Sequence, residues 1–320
     1  MKEKILLLRQ KLIEELEKLE EGIVVKLDYS KELLEKLLFV RKEKYFYKQF
    51  ALPEHVLGKI DFSNVLFDDF DARGLRSTKE KTLHGIKLNP QTIYDKSLRN
   101  SKLYGIEFIG SFDDAIITGA DFTGSMGAKI DPMKLRQKRV TLDSDLCIYA
   151  NMIDINRCKF SGVIFIKPFK NYSVKSSEIS GKIGVIVNFY NTDFTGSNGA
   201  VIYLNEVYSS VERYDCYGKY SGFKSSIKTN LSCCTLTDAT INGNFNDIDI
   251  RGTNFTGTKN DLVINPKVVY KQDLSNTKLN GVIFCGSFDG CNIENADFTG
   301  SYGAIINLDE LESINYKNTI

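Results

Sequence analysis

The sequence predicts a mainly β solenoid, a square coil of five-residue sides stacked in parallel behind a helical N-terminal region. Two observations carry that expectation. Residues 86–135 and 262–311 align without a gap at an offset of 176, with 24 of 50 positions identical. Within each copy the large apolar residues recur every fifth position, a period that fits neither a helix (3.6) nor a strand (2). Every fifth side chain then meets the same environment, as it does when the backbone turns a corner each five residues. Four sides close a coil of about 20 residues, and stacked coils lie about 4.8 Å apart.

Residues 1–58 lack the five-residue period. Ile5, Leu8, Leu12, Leu16 and Leu19 form one stripe at helical spacing, with Glu14, Glu15, Glu17, Lys18 and Glu20 off it. A short extended run is expected at 23–27. Ser30 suits the N-cap of a second helix reaching to about Phe50, with Leu33, Leu34, Leu37 and Leu38 apolar. Two roles stand side by side for this region. It covers the open first coil at 60–62, as the end of a solenoid requires, or it is a helix pair that binds a partner or a second copy.

Residues 59–320 carry the pentads. In the first copy Leu88, Ile93, Leu98, Leu103 and Phe108 stand five apart; a step of four leads to Phe112, and fives resume through Ile117 and Phe122. The second copy repeats this as Ile264, Val269, Leu274, Leu279, Phe284, Phe288, Ile293 and Phe298. Leu236, Ile241, Phe245, Ile250 and Phe255 form a third run. Phe160, Phe165 and Phe169 form a fourth, which resumes at Phe189 and Phe194 beyond an insertion. The one-residue slip recurs in all four. Two positions before the central residue stands a small or medium one (Ala115, Ala120, Thr192, Ala239, Thr253, Ala296), because a narrow tube has no room for two large inward side chains. The Asp or Asn just before the central residue suits a corner, where its short side chain bonds nearby amides. Gly124, Gly196, Gly257 and Gly300 supply positive φ after it.

The units Ala120-Asp121-Phe122-Thr123-Gly124 and Ala296-Asp297-Phe298-Thr299-Gly300, with Thr192–Gly196 and Thr253–Gly257 close behind, resemble those of the pentapeptide-repeat family. The resemblance spans roughly residues 60–320. It implies a right-handed quadrilateral parallel β-helix without catalytic activity. Some members of that family imitate duplex DNA and bind DNA gyrase, and others are modules of bacterial effectors delivered to host cells. The slip of four, the GSxGAxI segment that breaks frame after each DFTGS-type unit, and the insertions all depart from a uniform coil.

Three insertions are expected, at 136–157, 170–184 and 205–230. The last and its border hold the candidate partner-binding residues Tyr203, Tyr208, Arg213, Tyr214, Tyr217 and Tyr220, since tyrosine with Arg, Lys and Ser is typical of recognition surfaces. Rings packed on the tube explain them equally well. The final stretch is expected to form a short cap, with Leu308 and Leu311 facing the last coil.

The balance of charge narrows the function. With 42 basic and 41 acidic residues the chain has neither the basic excess of a general nucleic-acid binder nor the acidity of a DNA mimic. The seven cysteines include no CxxC pair and suggest reduced thiols and a cytoplasmic protein, with secretion by a specialised system left open. Abundant Lys, Asn and Ile suggest a bacterial or phage source. No stretch has the length of a membrane helix. Only His55 and His84 are present, no metal-ligand spacing occurs, and the carboxylate pairs Asp68-Asp69 and Asp113-Asp114 fall at corners. No catalytic residue, cofactor or metal is therefore expected. The expected partner is a protein, with homodimerisation as an option and without direct nucleic-acid or membrane binding.

Overall fold

The computed structural model describes residues 2–42, 47–72, 86–143, 148–170, 172–173, 182–204, 207–214, 220–227 and 229–305. These residues are mainly β, with α-helices α1 (Lys2–Glu17), α2 (Lys31–Leu38) and α3 (Glu54–Leu57) among them. They divide into two compact units, Met1–Leu135 with Cys158–Ile164, and Arg136–Arg157 with Phe165–Ile320.

In the first unit, the expected long second helix is shorter and gives way to a hairpin. Ser30 caps α2 as the sequence suggests, its Oγ accepting from the Leu33 amide at 3.4 Å. The helix stops at Leu38, and Phe39–Lys42 pairs antiparallel with Tyr47–Phe50. The cause is tertiary. Extended backbone places Phe39 opposite Phe50, ring centroids 5.4 Å apart. It also lets Phe50 reach Phe62 (5.5 Å) and Phe70 (4.6 Å). A continued helix would hold Phe39 and Phe50 three turns apart. The N-terminal region also joins the parallel stack directly: Val25 pairs with Ile60, and Lys48 with Phe70. Of the α1 stripe, Leu12 and Leu16 are buried and Leu8 is exposed.

Parallel pairing with a nearly fixed offset organises the rest of this unit. Lys87 pairs with Glu107, four full pentads further along the chain. Ser97 pairs with Ile116, Lys102 with Asp121, and Glu107 with Met126, each a single position short of four pentads. The difference is the slip, since three steps of five and one of four bring the chain back one position early. At the slip, Gly110 takes φ +90°, and a Cβ there would lie 2.7 Å from Asn89 Oδ1. The shortened side brings the Phe108 and Phe112 rings to 5.1 Å.

The second unit repeats the pattern. Val263 pairs with Ile283 across a full coil, and Ile283 with Tyr302 across a coil shortened by the slip. Phe284 and Phe288 meet at 5.0 Å over Gly286, and Phe165 and Phe169 at 4.9 Å. Insertions do not interrupt the stack: Asp121 pairs with Lys159, and Asp193 with Thr235, although an insertion lies between the members of each pair. The first two insertions meet in one mixed four-stranded sheet, ordered Tyr172–Ser173, Lys182–Asn188, Ile148–Asp154, Gln137–Asp143. The third forms an antiparallel hairpin, Val207–Tyr214 with Tyr220–Ile227.

Large apolar residues of the four runs are buried, with one exception. Phe298, placed with the core on sequence grounds, is half-buried: its equivalent Phe122 lies against Phe160 of the following rung at 6.0 Å, and no such ring stands over Phe298 among the described residues. Several inward small positions that carry a hydroxyl have a second job. Ser101 Oγ donates to the Phe67 carbonyl (2.7 Å), Thr192 Oγ1 to Ile155 (2.9 Å) and Thr253 Oγ1 to Leu231 (2.7 Å). These three buried donors are satisfied by the preceding coil, Thr277 Oγ1 donates within its own coil to Leu274 (2.5 Å), and the buried Ser125 and Ser197 hydroxyls have no protein partner. The corner carboxylates and amides accept as expected: Asp121, Asp193, Asn254 and Asp297 each accept from the amide two residues on, at 2.9–3.0 Å.

Candidate partner-binding face

Inward positions are filled with apolar and small residues, so the charged groups lie on the outward columns and the insertions. One column of the first unit alternates in sign: the buried Asp71, then Lys102, Asp121 and Lys159 are successive parallel partners. Lys102 lies 3.5 Å from Asp71, and Lys159 lies 3.7 Å from Asp121. Neighbouring rungs add Lys96–Asp114 (3.5 Å), Lys134–Asp113 (3.1 Å) and Lys87–Glu107 (3.9 Å). Opposite charges directly above one another favour the stacked register. The same alternation breaks up any continuous acidic stripe on these columns.

The tyrosines proposed for partner binding divide between two places. Tyr203 stands half-exposed in Val201–Leu204, where alternate residues Ile202 and Leu204 are buried, and it pairs with Asn242 on the next rung. Tyr208, Arg213 and Tyr214 lie in one strand of the 207–227 hairpin and Tyr220 in the other. Backbone pairing sets Tyr214 opposite Tyr220 and Arg213 opposite Ser221. Tyr217, like Leu308, Leu311 and His84, lies outside the described residues. The hairpin therefore brings Tyr214 and Tyr220 to one register position, with Arg213 adjacent, and leaves Tyr203 on the stack itself.

Among the described residues, the ionisable groups singled out by the sequence are dispersed. His55 is exposed and faces Glu17 at 3.1 Å. Asp68 accepts from Ser97 Oγ and from the Arg99 amide, and Asp69 accepts from Asn100 Nδ2 at 3.1 Å. Asp113 accepts from Ser111 Oγ at 2.6 Å and from Lys134; the serine hydrogen bond and the lysine hold its carboxyl below the ordinary range. A carboxylate held charged in this way is the reverse of a general acid, which needs its pKa raised. No group of three or more His, Cys, Asp or Glu side chains among the described residues is placed to hold a metal ion. Nor is any described helix long and apolar enough to cross a membrane.

Three described cysteines, Cys158, Cys234 and Cys291, act as inward small residues. Cys158 Sγ donates to the Ile117 carbonyl (3.0 Å) and Cys234 Sγ to Phe189 (2.9 Å). Burial pushes the Cys234 thiol up to about 12, so no thiolate forms there at neutral pH. Burial also raises the Cys291 thiol. Cys233 and Cys285 are exposed. Iodoacetamide at pH 8 should therefore modify Cys233 and Cys285 in the native protein, and reach Cys158, Cys234 and Cys291 only in denaturant. Peptide mass mapping reads this directly, and native labelling of Cys234 as fast as of its neighbour Cys233 would contradict the buried placement.

No family model matches the chain, and no curated protein does. Among solved structures, it is similar to HetL, a pentapeptide repeat protein involved in heterocyst differentiation regulation from the cyanobacterium Nostoc sp. strain PCC 7120. The identity is 13%, over 78% of this chain and 81% of that one, with a TM-score of 0.18. An overlap that loose transfers neither shape nor role.

Reasoning from periodicity overlooked one outward feature. Val263, Ile283 and Tyr302 occupy one column of the second copy; Val263 and Ile283 face out between buried neighbours, and Tyr302 is exposed. Comparing the two copies position by position would have found it, because the equivalent residues in the first copy are Lys87, Glu107 and Met126.

Proposed function

We propose that this chain is a non-catalytic pentapeptide-repeat scaffold, a right-handed quadrilateral β-helix capped by its N-terminal helical region, that binds a protein partner through the 207–227 hairpin. The observation that carries this reading is the continuity of parallel pairing across the insertions. Asp193 and Thr235 remain rung partners although the whole hairpin lies between them. A stack held by nearest-neighbour contacts can display a long insertion without loss, which is how solenoids carry binding elements. The offset of four pentads, shortened by one position wherever the slip is included, supports a four-sided coil. Imitation of duplex DNA needs dense negative charge, and the alternating Asp71–Lys102–Asp121–Lys159 column disfavours it.

The test replaces residues 205–228 by a short polar turn and compares this version with the full chain in quantitative affinity capture from cell lysate. The reading expects proteins held by the full chain and lost, at least tenfold, from the shortened one. Equal capture by both, with the shortened version folded, would remove the hairpin from the function.

A further inference from the structure

The duplication provides an internal control on surface chemistry. The two copies share the rung pattern, in which the flanking residues of each short strand are buried and the middle one faces out: Ile86-Lys87-Leu88 and Ile106-Glu107-Phe108 in the first, Leu262-Val263-Ile264 and Val282-Ile283-Phe284 in the second. In the first copy the outward residues form an ion pair, Lys87 Nζ to Glu107 Oε2 at 3.9 Å, with Met126 on the next rung. In the second the same positions read Val263, Ile283 and Tyr302, and Ile305 stands where the first copy has Lys129. Val263 is 55% exposed, Tyr302 67% and Ile305 78%. The same backbone positions thus carry an ion pair and Met126 in one place and, in the other, the half-exposed Ile283 between the exposed Val263 and Tyr302.

We infer that the Val263–Ile283–Tyr302 ladder is a homodimer interface, occupied by the same ladder of a second copy across a twofold axis. Three features select this occupant. The ladder carries no charge, and its single polar group is the Tyr302 hydroxyl, so its complement must be apolar along three rungs. The complement must also repeat at the rung spacing of about 4.8 Å, which a second β stack does. A twofold axis at Ile283 sets the two isoleucines against each other and places small Val263 opposite large Tyr302 on both sides, so that the volumes are complementary without rearrangement. A stable interface takes about 800 Å² from each partner, so the ladder forms the apolar centre of the contact and the surface around it completes the face. The exposed corner residues Asp261, Asn280 and Cys285 flank the ladder and supply a rim. This surface is independent of the hairpin proposed above.

Sedimentation equilibrium on the full chain, from about 1 to 100 μM, tests the inference. The wild type is expected to be dimeric in this range. The double substitution Val263→Lys with Ile283→Glu transplants the ion pair of the first copy onto the second, a pair the same backbone already carries there, and it should weaken association at least 100-fold. Tyr302→Arg, on the exposed end rung, should do the same without touching the strands. The converse pair, Lys87→Val with Glu107→Ile, should add a further association step. A wild type monomeric throughout the range would overturn the inference, as would a dimer unchanged by both ladder variants. A monomer that dimerises only when residues 306–320 are removed would also overturn it, and would assign the ladder to the chain's own C-terminal segment.

Discussion

Gly127→Ala should destabilise the first unit by about 2–5 kcal/mol, from a left-handed backbone cost of about 1–2 and an overpacking cost of about 1–3. Gly127 takes φ +76°, and a Cβ there would stand 2.5 Å from the Phe108 carbonyl oxygen. That oxygen belongs to the backbone of the adjoining coil, so no rotamer change relieves the contact. The same approach recurs at Gly199 against the Phe165 carbonyl (2.5 Å) and at Gly303 against the Phe284 carbonyl (2.7 Å). These are the second glycines of the GSxGAxI segments, and the repeated contact explains why that segment departs from the pentad pattern: the chain crosses there flush against the coil before it. Gly281→Ala is the control, because Gly281 takes φ +81° with nothing within 4 Å of its Cβ. It should cost only the backbone share, about 1–2 kcal/mol. Urea midpoints for the two variants separate the effects, and equal losses would mean that the close approach does not exist.

The inward lattice was legible in the sequence because one environment repeats. The central buried positions from Leu88 to Phe122, and again from Ile264 to Ile293, are set by the five-step and its single slip. Corner chemistry was legible for the same reason: Asp121 and Asp297 need only an amide two residues away. Thr299, through its hydroxyl and its amide, lowers the Asp297 carboxyl. Its contribution to stability is therefore present above the ordinary carboxylate range and is lost as pH falls through the lowered value.

What escaped depends on contacts remote in sequence. The end of α2 at Leu38 follows from Phe39 meeting Phe50, Phe67 and Phe70, which helical propensity does not report. The half-exposure of Phe298 contrasts with Phe122, its equivalent in the first copy, which is buried against Phe160 at 6.0 Å, a contact between residues 38 positions apart. The outward ladder was hidden by attention to inward residues. Periodicity identifies which positions face out but assigns them no role, and only the contrast of Lys87 and Glu107 with Val263 and Ile283 gives that column a meaning.

Phe50→Ala should cost about 3–5 kcal/mol and, more tellingly, should loosen the first rungs before any other part of the protein. Phe50 touches Phe39, Phe62 and Phe70, and Phe70 is fully buried beside Phe67 at 5.4 Å. Lys48, two residues away, is the parallel partner of Phe70; its amide donates to the Asp69 carbonyl (2.8 Å) and its carbonyl accepts from the Asp71 amide (2.7 Å). Removing the ring therefore weakens both the aromatic plug and the backbone pairing that begin the stack. In a solenoid each repeat is stabilised by its neighbours, so a defect at one end spreads inward with diminishing effect. Hydrogen exchange in the variant should show amides of 47–72 losing most of their protection, those of 97–108 losing less, and those of 262–305 losing none. The alternative role of the N-terminal region, a helix pair that docks a partner, predicts otherwise. A docking element can be damaged without consequence for the stack, and unchanged protection at 60–72 in Phe50→Ala would decide for it against the cap.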